Sequence, residues 1–198
     1  MKKGQTNKKL SVTIILILVL AILISLYLRN KDTPFINVGE SKKSTVELLL
    51  EKDIENQYPA TPKEVLKLYV KYAKSFYNDK LDDIQVNKMA DQVRLLFDEE
   101  LIAHNPLDDY LLELKSEIAI FKDSSRTMVN HEVQNNQNIA YWEKDGKEYS
   151  SVLVSFTVKE GADRTKVYQK FILRKDGNEN WKILSWNVVT DEKEMKKM

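Results

Sequence analysis

The run from Leu10 to Leu28, LSVTIILILVLAILISLYL, holds nineteen residues without a charge, a glycine or a proline. As a helix rising about 1.5 Å per residue it would span roughly 28 Å, close to the hydrocarbon thickness of a bilayer. A buried core helix would be shorter or amphipathic, and this run is apolar on every side. A cleaved secretory leader would carry an apolar stretch of about 7–15 residues ending in small residues. This one is longer and ends Ser25-Leu26-Tyr27-Leu28-Arg29. The run is therefore expected to be an uncleaved transmembrane helix over residues 10–28, and the absence of Cys rules out a lipid-modified alternative. Lys2, Lys3, Lys8 and Lys9 precede it and Arg29 and Lys31 follow it, a modest bias toward a cytoplasmic N-terminus. The flank of residues 1–9 is too short to be a domain. The expected arrangement is a signal anchor in the cell membrane, with lipid around the N-terminal helix and the C-terminal portion extracytoplasmic.

Some 170 residues remain beyond the anchor, enough for one domain with a real core. With 31 basic against 30 acidic residues the formal charge is +1, so no nucleic acid partner is expected. Zero Cys removes disulfides, zinc ribbons, iron–sulfur clusters and thiol nucleophiles together.

Residues 29–57 read as a juxtamembrane linker. Within it Ser44 and Glu47 form a capping-box pattern ahead of Leu48, Leu49 and Leu50, predicting a short helix that is either part of the domain or a spacer. The globular domain is expected over 58–190. Thr61, Pro62 and Glu64 open a helix on which Val65, Tyr69, Tyr72 and Phe76 form one apolar stripe, with Asn78 and Asp79 stopping it. A second helix is predicted from about Asp82 to Glu100, through Val86, Met89, Val93 and Leu96. A third follows Asn105-Pro106, with Leu107, Leu111, Leu114, Ile118 and Phe121 in register. The charges between these stripes, among them Glu113, Lys115 and Glu117, read as solvated surface.

From Arg126 the period changes to two. Strands are predicted over 127–133, 138–142, 149–158, 166–174 and 181–189, rich in β-branched and aromatic residues. Asp145-Gly146, Glu160-Gly161 and Asp176-Gly177-Asn178 lie between them, each offering Gly to a tight turn. The links are too short to hold a crossover helix, so the strands form an antiparallel meander. Val152, Val154, Phe156 and Val158 share one face of the third strand. In the last, simple alternation sets Leu184, Trp186 and Val188 against Trp181, Ile183, Ser185 and Asn187. Helices followed by a sheet with one apolar face make an α+β sandwich. Residues 191–198, DEKEMKKM, are expected to be a solvated, disordered charged tail.

This organisation resembles the cystatin-like fold of the nuclear transport factor 2-like superfamily. Within it, the runs Tyr58–Val65 (YPATPKEV), Ser75–Asn78 (SFYN), Ala90–Asp98 (ADQVRLLFD) with Asn105-Pro106, and Asp145–Tyr149 (DGKEY) resemble an uncharacterised family of clostridial single-pass membrane proteins. The resemblance covers roughly residues 45–190. It implies about three helices packed in the concavity of a curved antiparallel sheet. It implies no particular activity, because the broad fold hosts isomerases, dehydratases, transport factors and protein-binding modules alike.

The residues themselves offer little chemistry. His104 falls at a helix end, where an imidazole caps carbonyls, and His131 shares a strand face with Val129 and Val133. A pairing of His131 with Tyr168 in an isomerase-like cavity is conceivable, but nothing in the spacing demands it. Asp79, Asp82 and Asp83 lack the pattern of a calcium loop and read as turn and helix start. Ser150 and Ser151 lie in a strand with no nucleophile elbow. Tyr141, Trp142, Tyr149, Trp181 and Trp186 read as core and cross-strand pairs. No catalytic, cofactor-binding or metal residue is assigned, no cofactor is expected, and catalysis is not favoured. The expected function is a noncatalytic module binding an envelope protein, peptide or other envelope component. The alternative is a small-molecule binder or enzyme using the cavity of the cone, and a homodimer through the open sheet face is compatible with both.

Overall fold

The computed structural model describes residues 43–198, so the apolar run over 10–28, its orientation and most of the juxtamembrane segment lie outside the described residues. Among the described residues no helix is long and apolar enough to cross a membrane. The chain from Lys43 onward is α+β: several helices, then one antiparallel sheet.

Local capping chemistry places the helix starts. Helix α1 spans Thr45–Leu50 under a complete capping box. The Ser44 hydroxyl accepts from the Glu47 N–H at 3.2 Å, and the Glu47 carboxylate accepts from the Ser44 N–H at 2.7 Å. Of the two roles left open for this helix, it takes the first. Leu49 and Ile54 are buried in the core, and the Tyr72 hydroxyl donates to the Leu49 carbonyl at 3.1 Å. Helix α2, Pro62–Asn78, starts at Thr61, whose hydroxyl accepts from the Glu64 N–H, while the Glu64 carboxylate reaches past Thr61 to the Ala60 N–H. Helix α3, Asp83–Arg94, begins with a second capping box, made by Asp82 and Gln85.

The helix expected from Asp82 to Glu100 is broken. It ends at Arg94, and residues 95–97 turn so that Phe97 bridges Ile183 in parallel. Leu96 and Asp98 exchange backbone hydrogen bonds with Ile183 at 2.8 Å. Leu96 and Phe97 are buried against the sheet edge, and that burial overrides the local helical period. Helix α4, Glu99–His104, restarts at Asp98. Helix α5, Leu107–Asp123, follows Pro106 and buries Leu114 and Ile118. Among the described residues five helices thus precede the sheet.

The strands are β1 (Arg126–Val133), β2 (Ala140–Lys144), β3 (Lys147–Glu160), β4 (Asp163–Lys175) and β5 (Trp181–Val189). The order is β1-β3-β4-β5, with β2 pairing the first half of β3 on the edge that β1 pairs along the second half. In the β2–β3 turn Asp145 and Gly146 both have positive φ, 53° and 70°, the pairing a type I′ turn requires. Gly161, φ 59°, opens the two-residue β3–β4 loop. In the β4–β5 loop, however, the positive φ falls on Glu179 and not on Gly177. The Asp176 carboxylate shapes this loop by accepting from the N–H groups of Asn178 and Asn180.

Two bulges correct the simple alternation. In β1 the register skips Val129 between Met128 and Asn130, so Met128 faces Val158 while His131 faces Phe156 on the same side. The Asn78 side chain seals this irregularity, accepting from the Met128 N–H and donating to its carbonyl, both at 2.9 Å. In β5 the register skips Leu184. Ile183 pairs with Leu173 and Trp186 with Phe171, so residues that strict alternation sets on opposite faces share the helix side. The charged tail is not disordered either. It forms a short helix α6, Glu192–Met195, and the Lys197 carbonyl accepts from Gln134 and Asn138.

Candidate functional site

Helices α2 and α5 cover the helix-side face of the sheet incompletely, leaving two adjoining hollows of about 120 and 420 Å³. Both are lined by Tyr69, Ala73, Tyr77, Glu117 and Trp186. The smaller runs in toward Phe97, Asn105, Tyr110 and Glu113. The larger opens past Ile120, Phe121 and Phe156 to Val158, Val167 and Gln169, with Arg126 at its border. Together they form one open cleft.

Tyr69 and Tyr77 come from adjoining stripes of α2, Tyr110 and Glu117 lie two turns apart on α5, and the β5 bulge delivers Trp186. The rings of Tyr69, Phe97 and Trp186 stand 6.0–6.3 Å apart at mutual tilts of 43–48°, and Tyr110 meets Phe97 edge-on at 5.9 Å. The Tyr77 hydroxyl donates to the Glu117 carboxylate at 2.9 Å while its ring rests on Phe121 at 4.8 Å. Burial pushes the phenols of Tyr69, Tyr77 and Tyr110 well above the ordinary range, and the negative charge of Glu117 adds to the shift in each. These three hydroxyls therefore stay protonated at neutral pH. Arg94 lies over Tyr110 at 5.3 Å and donates to the Asn105 carbonyl at 2.7 Å. Trp186 is 38 % exposed and Ile120 58 %, so the cleft offers bare apolar surface to a ligand.

The residues singled out by sequence are dispersed. His104 Nδ1 lies 2.7 Å from the Glu100 carbonyl at the end of α4. His131 sits half-buried on the helix-side face, its pKa lowered by burial and by the nearby Lys74. Tyr168 pairs opposite Ser155 on the other face, so the two do not meet. Asp79 closes α2, Asp82 caps α3 and Asp83 pairs with Lys115 at 3.3 Å. The Ser150 hydroxyl is buried without a hydrogen-bond partner among the described residues, and Ser151 points to the outer face. Of the five aromatics, Trp142 stacks on Tyr149 and Tyr141 packs edge-on against Trp181, leaving Trp186 to the cleft. Among the described residues no three His, Asp or Glu side chains gather as a metal-ligand set. A third hollow, between α4 and the β4–β5 loop, is bordered by a buried ion pair: Arg174 holds Asp98 through two hydrogen bonds and Glu100 through one at 3.2 Å.

Sequence reasoning assigned Tyr69 to core and did not single out Tyr110; Glu117, read as solvated surface, is exposed as expected, but at the mouth of the cleft. The available signal was the count of phenols on core-facing stripes, since a buried tyrosine hydroxyl needs a partner or a cavity.

A family model described as "Domain of unknown function (DUF6715)" matches residues 1–186. No curated protein matches the chain. Among solved structures, the NMR solution structure of a protein provisionally assigned as the transfer protein TraH, from the Gram-positive conjugative plasmid pIP501, is similar at 15 % identity. That match covers 68 % of this chain and 98 % of that one, with a TM-score of 0.35, which is too low to carry an argument about role.

Proposed function

The chain belongs to that family of unknown function, and from this premise we propose that it is a noncatalytic binding module whose ligand surface is the cleft between α5 and the sheet. The observation that carries this reading is the exposed aromatic and aliphatic lining around two carboxylates, Glu113 and Glu117, and three protonated phenols. Such a surface recognises a ligand by apolar contact and a few directed polar groups. It lacks a positioned nucleophile–base pair: His131 is not among the lining residues, and Glu117 is bonded to a phenol that stays protonated.

The module is anchored by residues 10–28 and faces outward, a reading supported by the length of the apolar run and the basic N-terminal flank. Its partner is an envelope protein or peptide. The sheet with helices on one face, together with the Tyr58–Val65 run ahead of it and the Asp145–Tyr149 run within it, supports placing it with the cystatin-like, nuclear transport factor 2-like folds and the clostridial membrane family. The second reading, a small-molecule binder, is favoured by the inner 120 Å³ hollow, which is empty of side chains and has polar groups converging on it.

The test is photo-crosslinking in intact cells with p-benzoylphenylalanine at position 120, in the cleft, and at position 84, where Ile84 is exposed on α3 away from it. A discrete adduct from position 120 alone is expected, and its mass separates a polypeptide from a small ligand. Equal labelling from both positions, or none, would overturn the cleft as the ligand surface. Digestion of the domain by protease added to intact protoplasts is expected; protection until lysis would reverse the orientation.

A further inference from the structure

We propose that the inner hollow binds an organic ammonium group carried on an apolar body, with Tyr69, Phe97, Tyr110 and Trp186 as walls and Glu117 as counter-charge. This deepens the reading above and rests on it. Aromatic faces carry negative potential, and several rings set at angles around a small space attract a cation that has shed its water. The four rings here have that disposition, with neighbouring centroids 5.9–6.3 Å apart and none parallel. Glu113 and Glu117 both line the hollow, and no basic side chain does. Of the basic groups nearby, Arg94 donates to the Asn105 carbonyl and covers one face of the Tyr110 ring at 5.3 Å, Lys115 pairs with Asp83, and Arg126 pairs with Glu160 at 2.7 Å. An inner space of about 120 Å³ suits a headgroup, not a whole ligand, and the wider apolar hollow continues from it to take the body.

Glu117 is exposed and accepts from the Tyr77 hydroxyl at 2.9 Å, which leaves further carboxylate lone pairs at the mouth of the hollow for a cation and no matching partner for a neutral guest. An ammonium group meets that carboxylate, and the phenol oxygens of Tyr69 and Tyr110 can accept from any N–H it carries. The same chemistry can arrive on a free small molecule or on a lysine-type side chain of a protein.

The test uses the full-length chain in a nonionic detergent. Replacing Trp142 and Trp181 by Phe leaves Trp186 as the sole indole of the three. Titration with choline is expected to give a saturable change in its fluorescence. Choline's neutral isostere, 3,3-dimethylbutan-1-ol, is expected to bind at least tenfold more weakly, and Glu117→Gln to weaken choline by a similar factor with an unchanged circular dichroism spectrum. Equilibrium dialysis of labelled choline against the unsubstituted chain makes the same comparison without the Trp replacements. A peptide bearing trimethyllysine is run beside choline; tighter binding by either one supports the ammonium site and identifies its source. Equal binding of the neutral alcohol, or an unaffected Glu117→Gln variant, would overturn the ammonium proposal and leave a purely apolar cleft standing. Absence of saturable binding by choline and peptide alike would also overturn it, and the crosslink at position 120 then decides the broader reading independently.

Discussion

Asp98 illustrates how one side chain can hold two elements. Its carboxylate caps α4 by accepting from the Glu100 N–H at 2.9 Å, and it also grips the Arg174 guanidinium from β4, with side-chain exposures of 3 % and 11 %. Removing Asp98 takes the buried partner from the Arg174 guanidinium and leaves it the more exposed Glu100 at 3.2 Å, so Asp98→Ala is expected to cost about 3 kcal/mol in urea denaturation. The exposed pair between Lys166 and Glu132 makes the contrast, since such pairs contribute about 0–1 kcal/mol. Asn78 is a second such position. Asn78→Ala leaves the N–H and carbonyl of Met128 unpaired at a bulge and is expected to lower stability by about 1–3 kcal/mol, read from the denaturation midpoint. In the sequence Asn78 shows only as a helix stop and Asp98 only as the end of the Ala90–Asp98 run, because their main partners lie 50 and 76 residues away. The cleft was hidden for the same reason. Tyr77 and Glu117 are separated by 40 residues, and neither α2 nor α5 alone announces that their side chains meet.

At the scale of elements, the strong periodic stripes of α2 and α5 and the five strands were legible, since amphipathic period and turn chemistry are local properties. What escaped was every feature that depends on a neighbour. The break after Arg94 exists because Leu96 and Phe97 dock on Ile183, and the skipped Leu184 is a matter of register against β4. Helix α1 shows the same dependence. Its capping box was plain, but its membership in the domain is decided by Leu49 and Ile54, which fill space beside α2 and α3. Ile54, 1 % exposed, makes the point testable. Ile54→Ala should destabilise the domain by about 2–5 kcal/mol as a core cavity does, whereas a spacer residue would leave the urea midpoint unmoved.

For the molecule as a whole, buried titratable groups set the pH range of stability. Tyr72 is buried and its phenol is pushed up to about 12 by loss of solvation. The unfolded phenol ionises near pH 10, so between those values the unfolded chain has released a proton that the folded chain retains. Stability is therefore flat below about pH 10 and falls above it, by roughly 1.4 kcal/mol per unit for this one group. Tyr58, Tyr69, Tyr77 and Tyr110, shifted the same way by burial, steepen the fall. Chemical denaturation from pH 7 to 11.5, with phenolate absorbance followed in parallel, should show tyrosine ionisation coinciding with unfolding. On the acid side His131, lowered by burial and by Lys74, disfavours protonation in the folded state, so stability should begin to drop as pH falls through about 6.5. His131→Gln should flatten that limb of the profile.

The sequence by itself determined the class of the molecule. Helix stripes, strand alternation, the Gly146 and Gly161 turns and the apolar run over 10–28 are readable because each depends on residues within a few positions of one another. Only the tertiary structure decided which residues do anything together. The two bulges reassign strand faces, the docking of Phe97 breaks a helix, and the gap between α5 and the sheet gathers Tyr69, Tyr77, Tyr110, Glu117 and Trp186 around one space. The physical reason is that register and packing are set by long-range burial, and a one-residue shift in a strand moves every later side chain to the other face.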